Sequence, residues 1–380
     1  MKKYKRVMSL KALLKQNSHF LFGPRATGKS FLIKEDLPNC TVYNLLDDEV
    51  YSSLMRRPKI IEEAITSKNQ IIVIDEIQKL PKLLDEVHRL IESKKARFLL
   101  TGSSVRKLKK EGHNLLAGRA WEAHLFPLTW KEIPNFNLIH YLNYGGLPRI
   151  YLSKNPKEEL FHYVNSYLKE EIKEEAVVRS YEKFVYFLDA ISLMNAKELH
   201  YQNLSSECGV PVRTLEGYIE VLIDTLIGFE LLPYRKTKKR IAYARSKFYF
   251  FDIGVANSIA QKSSINENSS DFGDAFETFI INEVKTYLSY NKIRKEIMYW
   301  RTKICEVDLV IDKILALEIK SSKKIKDEYF KGLKYFKEEC KVENAIVISR
   351  DKIEGVHDEI KYMHYETFLK NLWSGKYFNE

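Results

Sequence analysis

Phe20-Leu21-Phe22 runs into Gly23-Pro24-Arg25-Ala26-Thr27-Gly28-Lys29-Ser30, and the reading of this stretch decides the fold. An apolar strand that ends in G-x-x-x-x-G-K-S and feeds a helix is a phosphate-binding loop. The eight residues Gly23, Pro24, Arg25, Ala26, Thr27, Gly28, Lys29 and Ser30 are expected to turn main-chain amides toward phosphate oxygens. Gly28 permits a backbone that a side chain would obstruct, and the helix beyond it offers the positive end of its dipole to the anion. Lys29 should reach the β- and γ-phosphates of ATP, and the Ser30 hydroxyl should ligate Mg²⁺.

Moving outward, the apolar run Ile71-Ile72-Val73-Ile74 leads into Asp75-Glu76. A buried strand that ends in two carboxylates calls for a cation or a reaction. Asp75 is expected to hold Mg²⁺, directly or through water, and Glu76 to act as the catalytic base on the attacking water. A solvated strand end is the plainer alternative. After the next apolar run come Thr101-Gly102-Ser103-Ser104, where Thr101 or Ser103 would sense the γ-phosphate or place water; a simple Ser/Gly turn fits the same residues. Arg119, in Leu116-Ala117-Gly118-Arg119, reads either as an arginine finger acting across the interface of a homo-oligomer or as a surface salt bridge.

The apolar runs His19–Phe22, Thr41–Leu45, Gln70–Ile74 and Arg97–Leu100 are continuous, not alternating. Such strands suit a parallel sheet covered on both faces. Residues 1–150 therefore read as an α/β domain, 151–260 as a helical domain followed by a basic β-ribbon, and 261–380 as a second α/β domain. The polar stretch Gln261–Asp271 separates the last two as a linker. The net charge of +11 favours a polyanionic partner. The four cysteines stand far apart with no C-x-x-C pair, which argues against a zinc ribbon or disulfide scaffold. No apolar run approaches a membrane span, and a cytoplasmic location is expected.

In the middle region Leu204–Val210 and Pro211–Ile219 read as helix, turn and helix, with Gly209 at the turn. Arg213 and Thr214 would stand near the start of a recognition helix, with Tyr218 one turn on. Arg235, Lys236, Lys238, Lys239 and Arg240, with Arg245 and Lys247 beyond them, would contact DNA phosphates from the ribbon that follows. A module used for protein packing, with a solvated basic ribbon, is the alternative.

Glu306-Val307-Asp308-Leu309-Val310-Ile311 and Leu315-Ala316-Leu317-Glu318-Ile319-Lys320 read as two strands. A three-residue turn pairs Asp308 with Glu318 and gathers Val307, Leu309, Ile311, Leu315, Leu317 and Ile319 on one face. Glu306, Asp308, Glu318 and Lys320 then share the other face. Asp308 and Glu318 would hold Mg²⁺ or Mn²⁺ and activate water, with Lys320 as the third catalytic group. Three readings stand: a metal-dependent nuclease, a nuclease-like fold without chemistry, and a solvated charged face.

The phosphate loop, Ile71-Asp75-Glu76-Ile77-Gln78, Thr101-Gly102-Ser103, Leu116–Arg119 and Gly145-Gly146-Leu147-Pro148, in this order, resemble a group of prokaryotic AAA+-type ATPases. The resemblance implies an N-terminal ATPase domain, a winged helix and a C-terminal restriction-endonuclease-like domain. Asp308, Glu318 and Lys320 resemble the PD-(D/E)XK nuclease motif, although no proline precedes Asp308, and Glu277 on the helix upstream matches the further metal-binding acid of that fold. The expected function is a Mg²⁺-dependent ATPase acting on DNA, with nuclease activity gated by ATP. The alternative is a nucleotide switch on DNA or a protein partner with an inert nuclease-like domain.

Overall fold

The computed structural model describes residues 4–104, 106, 108, 118–168, 181–235 and 245–378. Of the candidate DNA contacts, Lys236, Lys238, Lys239 and Arg240 lie outside the described residues.

Five parallel strands form the first sheet: β1 (Ser18–Phe22), β2 (Thr41–Asn44), β3 (Ile71–Asp75), β4 (Arg97–Gly102) and β5 (Ala120–His124), in the order β2-β3-β4-β1-β5. The runs of β1, β3 and β4 bury both faces, as a parallel sheet requires, whereas β2 at the edge alternates and leaves Val42 exposed. Phe20, Phe22, Ile72, Ile74, Phe98 and Leu100 pack with Leu83, Leu84, Val87 and Leu90 of the helix Leu83–Ser93. Leu21, Val73 and Leu99 pack on the other side with the helices Leu10–Gln16 and Lys29–Asp36. Strand β4 lies between β1 and β3, so its polar end at Thr101 sits between the phosphate loop and Asp75.

The helices Tyr181–Leu193, Tyr201–Cys208 and Val212–Asp224 follow, with Gly209 at φ 61° capping the second. Gly209 supplies the left-handed residue at which the chain turns. Tyr218 does not face outward: it is buried, and its ring packs edge-on against Phe184 at 4.9 Å.

The second sheet combines β6 (Gly228–Pro233) and β7 (Lys247–Phe250) with six C-terminal strands. These are β8 (Met298–Arg301), β9 (Glu306–Ile311), β10 (Leu315–Ile319), β11 (Asn344–Ser349), β12 (Gly355–His357) and β13 (Ile360–His364). Strand β6 runs parallel to β8 through Leu232 and Met298, so the cut expected at residue 260 separates strands of one sheet. One core also runs through both regions, from Leu128 to Tyr377. The stretch expected to be a linker is packed: Ile265 is buried, and its carbonyl accepts from Asn143 Nδ2 at 2.8 Å.

The turn between β9 and β10 has the expected three residues: Ile311 pairs with Leu315 and Leu309 with Leu317. Beyond that, the expectation needs correcting. A register shift against β8 moves Val307 into the cluster of Val310, Ala316, Phe330 and Phe336. A β-bulge of this kind re-aims the side chains beside it. The helix Lys331–Glu339 covers this face, so Asp308 and Glu318 are buried and not solvated.

Candidate functional site

Strand β1 ends at Phe22, level with Gly102 of β4. The loop that leaves it is tight. A Cβ on Gly23 would lie 2.4 Å from the carbonyl oxygen of Leu125, and Gly28 turns the chain into the helix at φ 95°. The Thr27 hydroxyl donates to Pro24 O at 2.8 Å and closes the loop on itself. Lys29 is buried, and its ammonium is held over the loop by Gly23 O at 2.7 Å and Pro24 O at 3.3 Å. The first amides of the helix have no intrahelical acceptor, which is the usual seat of a bound anion.

Ser30 Oγ donates to Asp75 Oδ2 at 3.1 Å. A hydroxyl and a carboxylate so placed are two hard oxygen ligands at one point, the donor set that suits Mg²⁺. The other oxygen of Asp75 accepts from the Thr101 hydroxyl, and Thr101 Oγ1 in turn accepts from Glu76 N at 3.3 Å. Glu76 sits in the left-handed region at φ 61°, unusual for a residue with a side chain. Gln78 Nε2 grips the Glu76 carboxylate and also donates to Ser103 Oγ at 3.3 Å. The structure thus brings together Lys29, Ser30, Asp75, Glu76, Thr101 and Ser103. Gln78 was missed as a functional residue. Its Oε1 is buried with no partner among the described residues, an open acceptor beside the Glu76 carboxylate. Gly102 makes room for it, since a Cβ there would lie 2.6 Å from that oxygen.

Arg119 is placed elsewhere. It precedes β5, whose first residue pairs with Ser18, at the end of the sheet opposite the phosphate loop. Its guanidinium pairs with Glu92 at 2.6 Å on an exposed surface.

Beside the loop opens a cleft of about 860 Å³ lined by Tyr4, Arg6, Phe31, Pro148, Arg149 and Tyr163, with Arg25, Ala26 and Gly28 on its wall. Tyr163 OH donates to Arg25 O at 3.1 Å. Aromatic, apolar and cationic groups around such a volume suit a nucleoside. Beyond the loop residues Arg25, Ala26 and Gly28, only Pro148 had been singled out in the sequence, as part of Gly145-Gly146-Leu147-Pro148. That motif is fixed by Asp252, which accepts from Gly146 N at 2.7 Å and from Val255 N at 3.0 Å. Burial raises the Asp252 carboxyl to about 6 even though these amides favour its charge.

The C-terminal acids form a closed ionic cluster. Lys320 Nζ lies 2.7 Å from Glu318 and 3.7 Å from Asp308, and Asp308 Oδ2 accepts from Ile319 N at 2.6 Å. From strand β7 the buried Lys247 reaches in, pairing with Glu306 and lying 3.3 Å from Glu277. Tyr249 OH donates to the same Glu277 oxygen at 2.6 Å. Burial opposes the Lys247 charge, but Glu277, Asp308 and Glu306 outweigh it and raise the ammonium well above its ordinary value. Burial and then Asp308 push the Glu318 carboxyl far up, and burial takes Glu277 to about 7 against the pull of Lys247. Two lysines pair with these four acids from within, and Arg301 pairs with Glu306 at 3.3 Å from the more exposed side. Among the described residues no three His, Cys, Asp or Glu side chains converge as a metal-ligand set, while Glu318 Oε2 is a buried oxygen without a hydrogen-bond partner there. Lys247 was expected among the phosphate contacts of the basic ribbon; it is buried instead and turned inward to these acids.

Arg213 and Thr214 are exposed in the first turn of the helix Val212–Asp224, and Arg235 is exposed beyond β6. Glu216 and Glu220 are exposed on the same helix.

Residues 15–134 match a family model described as an AAA domain. Over these residues the chain resembles an AAA domain built around a phosphate-binding loop. Residues 135–266 and 272–368 match two models described as domains of unknown function, DUF8612 and DUF4143. An uncharacterised protein of Methanocaldococcus jannaschii is 26% identical over 266 residues, which cover 61% of this chain and 60% of that protein. An uncharacterised protein of Haemophilus influenzae is 22% identical over 247 residues, 60% of each. The chain thus spans 60% of the length of these curated relatives. Among solved structures, a signal transduction ATPase with numerous domains from Pyrococcus horikoshii, which carries a tetratricopeptide repeat sensor, is 15% identical. That alignment covers 77% of this chain and 49% of the other at a TM-score of 0.25, too loose to carry an argument. Among the described residues no helix is long and apolar enough to cross a membrane.

Proposed function

We propose that the chain is a Mg²⁺-dependent ATPase that works as a nucleotide-driven switch on DNA. The observation that carries this is the 3.1 Å contact of Ser30 with Asp75, beside a Glu76 held by Gln78. Ser30 and Asp75 would hold the metal, whose charge offsets that of the phosphates. Lys29, now resting on Gly23 and Pro24 carbonyls, is within the loop that would receive the β- and γ-phosphates. Glu76 accepts a proton from water as the water oxygen bonds to the γ-phosphorus and the bond to the β-phosphate oxygen breaks, releasing ADP. Thr101 and Ser103 orient the two acids. The cleft between Tyr4 and Arg149 takes the nucleoside.

Phosphate release from Mg·ATP tests the reading. Lys29→Ala is expected to abolish nucleotide binding or turnover. Glu76→Gln is expected to bind ATP while turnover falls by roughly 10²–10³; hydrolysis at the wild-type rate would remove Glu76 from the base role.

DNA is the partner favoured by the net charge of +11 and by exposed Arg213, Thr214 and Arg235. Duplex binding that weakens with salt and with Arg213→Glu plus Arg235→Glu supports it, and the absence of binding in every nucleotide state defeats it. The internal pairing of Lys247 and Lys320 favours an inert C-terminal acid cluster over a nuclease. DNA cleavage by the purified chain with Mg²⁺ or Mn²⁺, lost in Asp308→Ala, would reverse that choice. For Arg119 to serve as a finger in a second copy, it must first leave Glu92.

A further inference from the structure

We propose that Arg6 is a positioning residue tying the nucleotide cleft to the C-terminal half of the chain, so that nucleotide binding strengthens the hold of the AAA domain on the helix Phe272–Tyr290. The proposal rests on the nucleotide reading of the cleft.

Arg6 lines that cleft, yet its side chain is only 5% exposed. Its NH1 donates to Thr27 O at 2.8 Å. The carbonyl of Thr27 and the N–H of Gly28 belong to one planar trans peptide and point in opposite directions. Fixing the carbonyl therefore fixes the direction of the Gly28 amide, which belongs to the phosphate loop. The same guanidinium donates from NH2 to Phe126 O at 2.6 Å and to Tyr290 OH at 3.1 Å. Its Nε donates to Glu132 at 3.0 Å, a carboxylate that is fully buried and also accepts from Val7 N at 2.7 Å. One planar fork thus holds the phosphate loop, the segment after β5 and the last residue of a C-terminal helix, and cannot shift at one without straining the others.

Tyr290 OH also accepts from Phe126 N at 3.3 Å. Two turns earlier on the same helix, Glu283 accepts from Trp130 N at 2.6 Å. The helix is therefore pinned twice to residues 126–130, and Arg6 is the group that connects this joint to the loop. Coupling of this kind is reciprocal: what the helix lends to nucleotide binding, the nucleotide returns to the helix.

The experiment measures Mg·ADP and Mg·ATPγS binding by calorimetry, together with hydrogen exchange over residues 272–290, for the full chain. The variants are Tyr290→Phe, which keeps the ring packed on Phe126, and Arg6→Lys, which keeps the charge but loses the fork. Tyr377→Phe is the control for loss of a phenol elsewhere. Tyr290→Phe is expected to weaken binding by roughly 3- to 10-fold with kcat at saturation unchanged. Nucleotide should protect the end of the helix in the wild type and in Tyr377→Phe but not in Tyr290→Phe or Arg6→Lys. Wild-type affinity in Tyr290→Phe, or equal protection in all four proteins, overturns the proposal while leaving the ATPase reading intact. Failure of the wild type to bind either nucleotide overturns both. If Tyr290→Phe does not fold, as judged by its melting curve, the result for Arg6→Lys decides.

Discussion

Gly145 has φ 70° and ψ −166°, and a Cβ there would lie 1.8 Å from Asp252 Oδ1. The obstacle is a buried carboxylate held by main-chain amides, so it cannot swing aside. Gly145→Ala is expected to cost about 3 kcal/mol or more, read from urea unfolding. Gln78 offers a prediction in kinetics: with the amide that grips Glu76 removed, Gln78→Leu should lower kcat by roughly tenfold or more and leave nucleotide affinity near the wild-type value. At this scale the sequence was legible where the chemistry is contiguous. Lys29, Ser30, Asp75 and Glu76 announce themselves because loop, helix start and strand end are written in unbroken runs. Arg6 owes its role to neighbours far away in the chain and nothing local marks it, Lys247 meets its acids only in the fold, and Gln78, although two residues from Glu76, shows its contact with Ser103 only there.

Among the elements, the β9–β10 turn could be read from alternation alone, because any even turn would have put charge into the core. Strand β5 could not. Ala120–His124 is half-exposed at the edge of its sheet, with Trp121 46% exposed, and it lacks the apolar run that marked the other four strands. The covering of Asp308 and Glu318 also escaped, since it depends on the helix Lys331–Glu339 folding over them. Strand β7 carries the prediction for this scale. Lys247→Met strands Glu277 and Glu306 without their buried cation, and should cost about 3–5 kcal/mol in urea unfolding. Adding Glu277→Gln should recover part of that loss. Strict additivity of the two changes would show that the pair does not interact.

For the whole molecule, two buried acids without a cationic partner among the described residues set a pH dependence. Burial takes Asp252 to about 6, and Glu283, which is 2% exposed, to about 8. Unfolded, both would titrate near 4, so between those values the folded chain keeps protons that the unfolded chain has released. These groups therefore stabilise the fold at low pH, and their contribution is lost as pH rises toward 8. Urea unfolding should show about 1–3 kcal/mol less stability at pH 8.5 than at pH 5.5, with a shallower slope in Glu283→Gln. A steeper slope in that variant would contradict the assignment. The parallel pairing of β6 with β8 has a practical meaning for anyone shortening this protein. A fragment ending at residue 260 would bare the backbone donors and acceptors of β6, and its missing remainder would bare those of β8, two sticky ribbons inviting aggregation. Scissors placed between β5 and Leu128 would instead run where the long shared core begins, severing the grip of Arg6 together with the Arg106–Asp224 and Tyr163–Arg25 contacts.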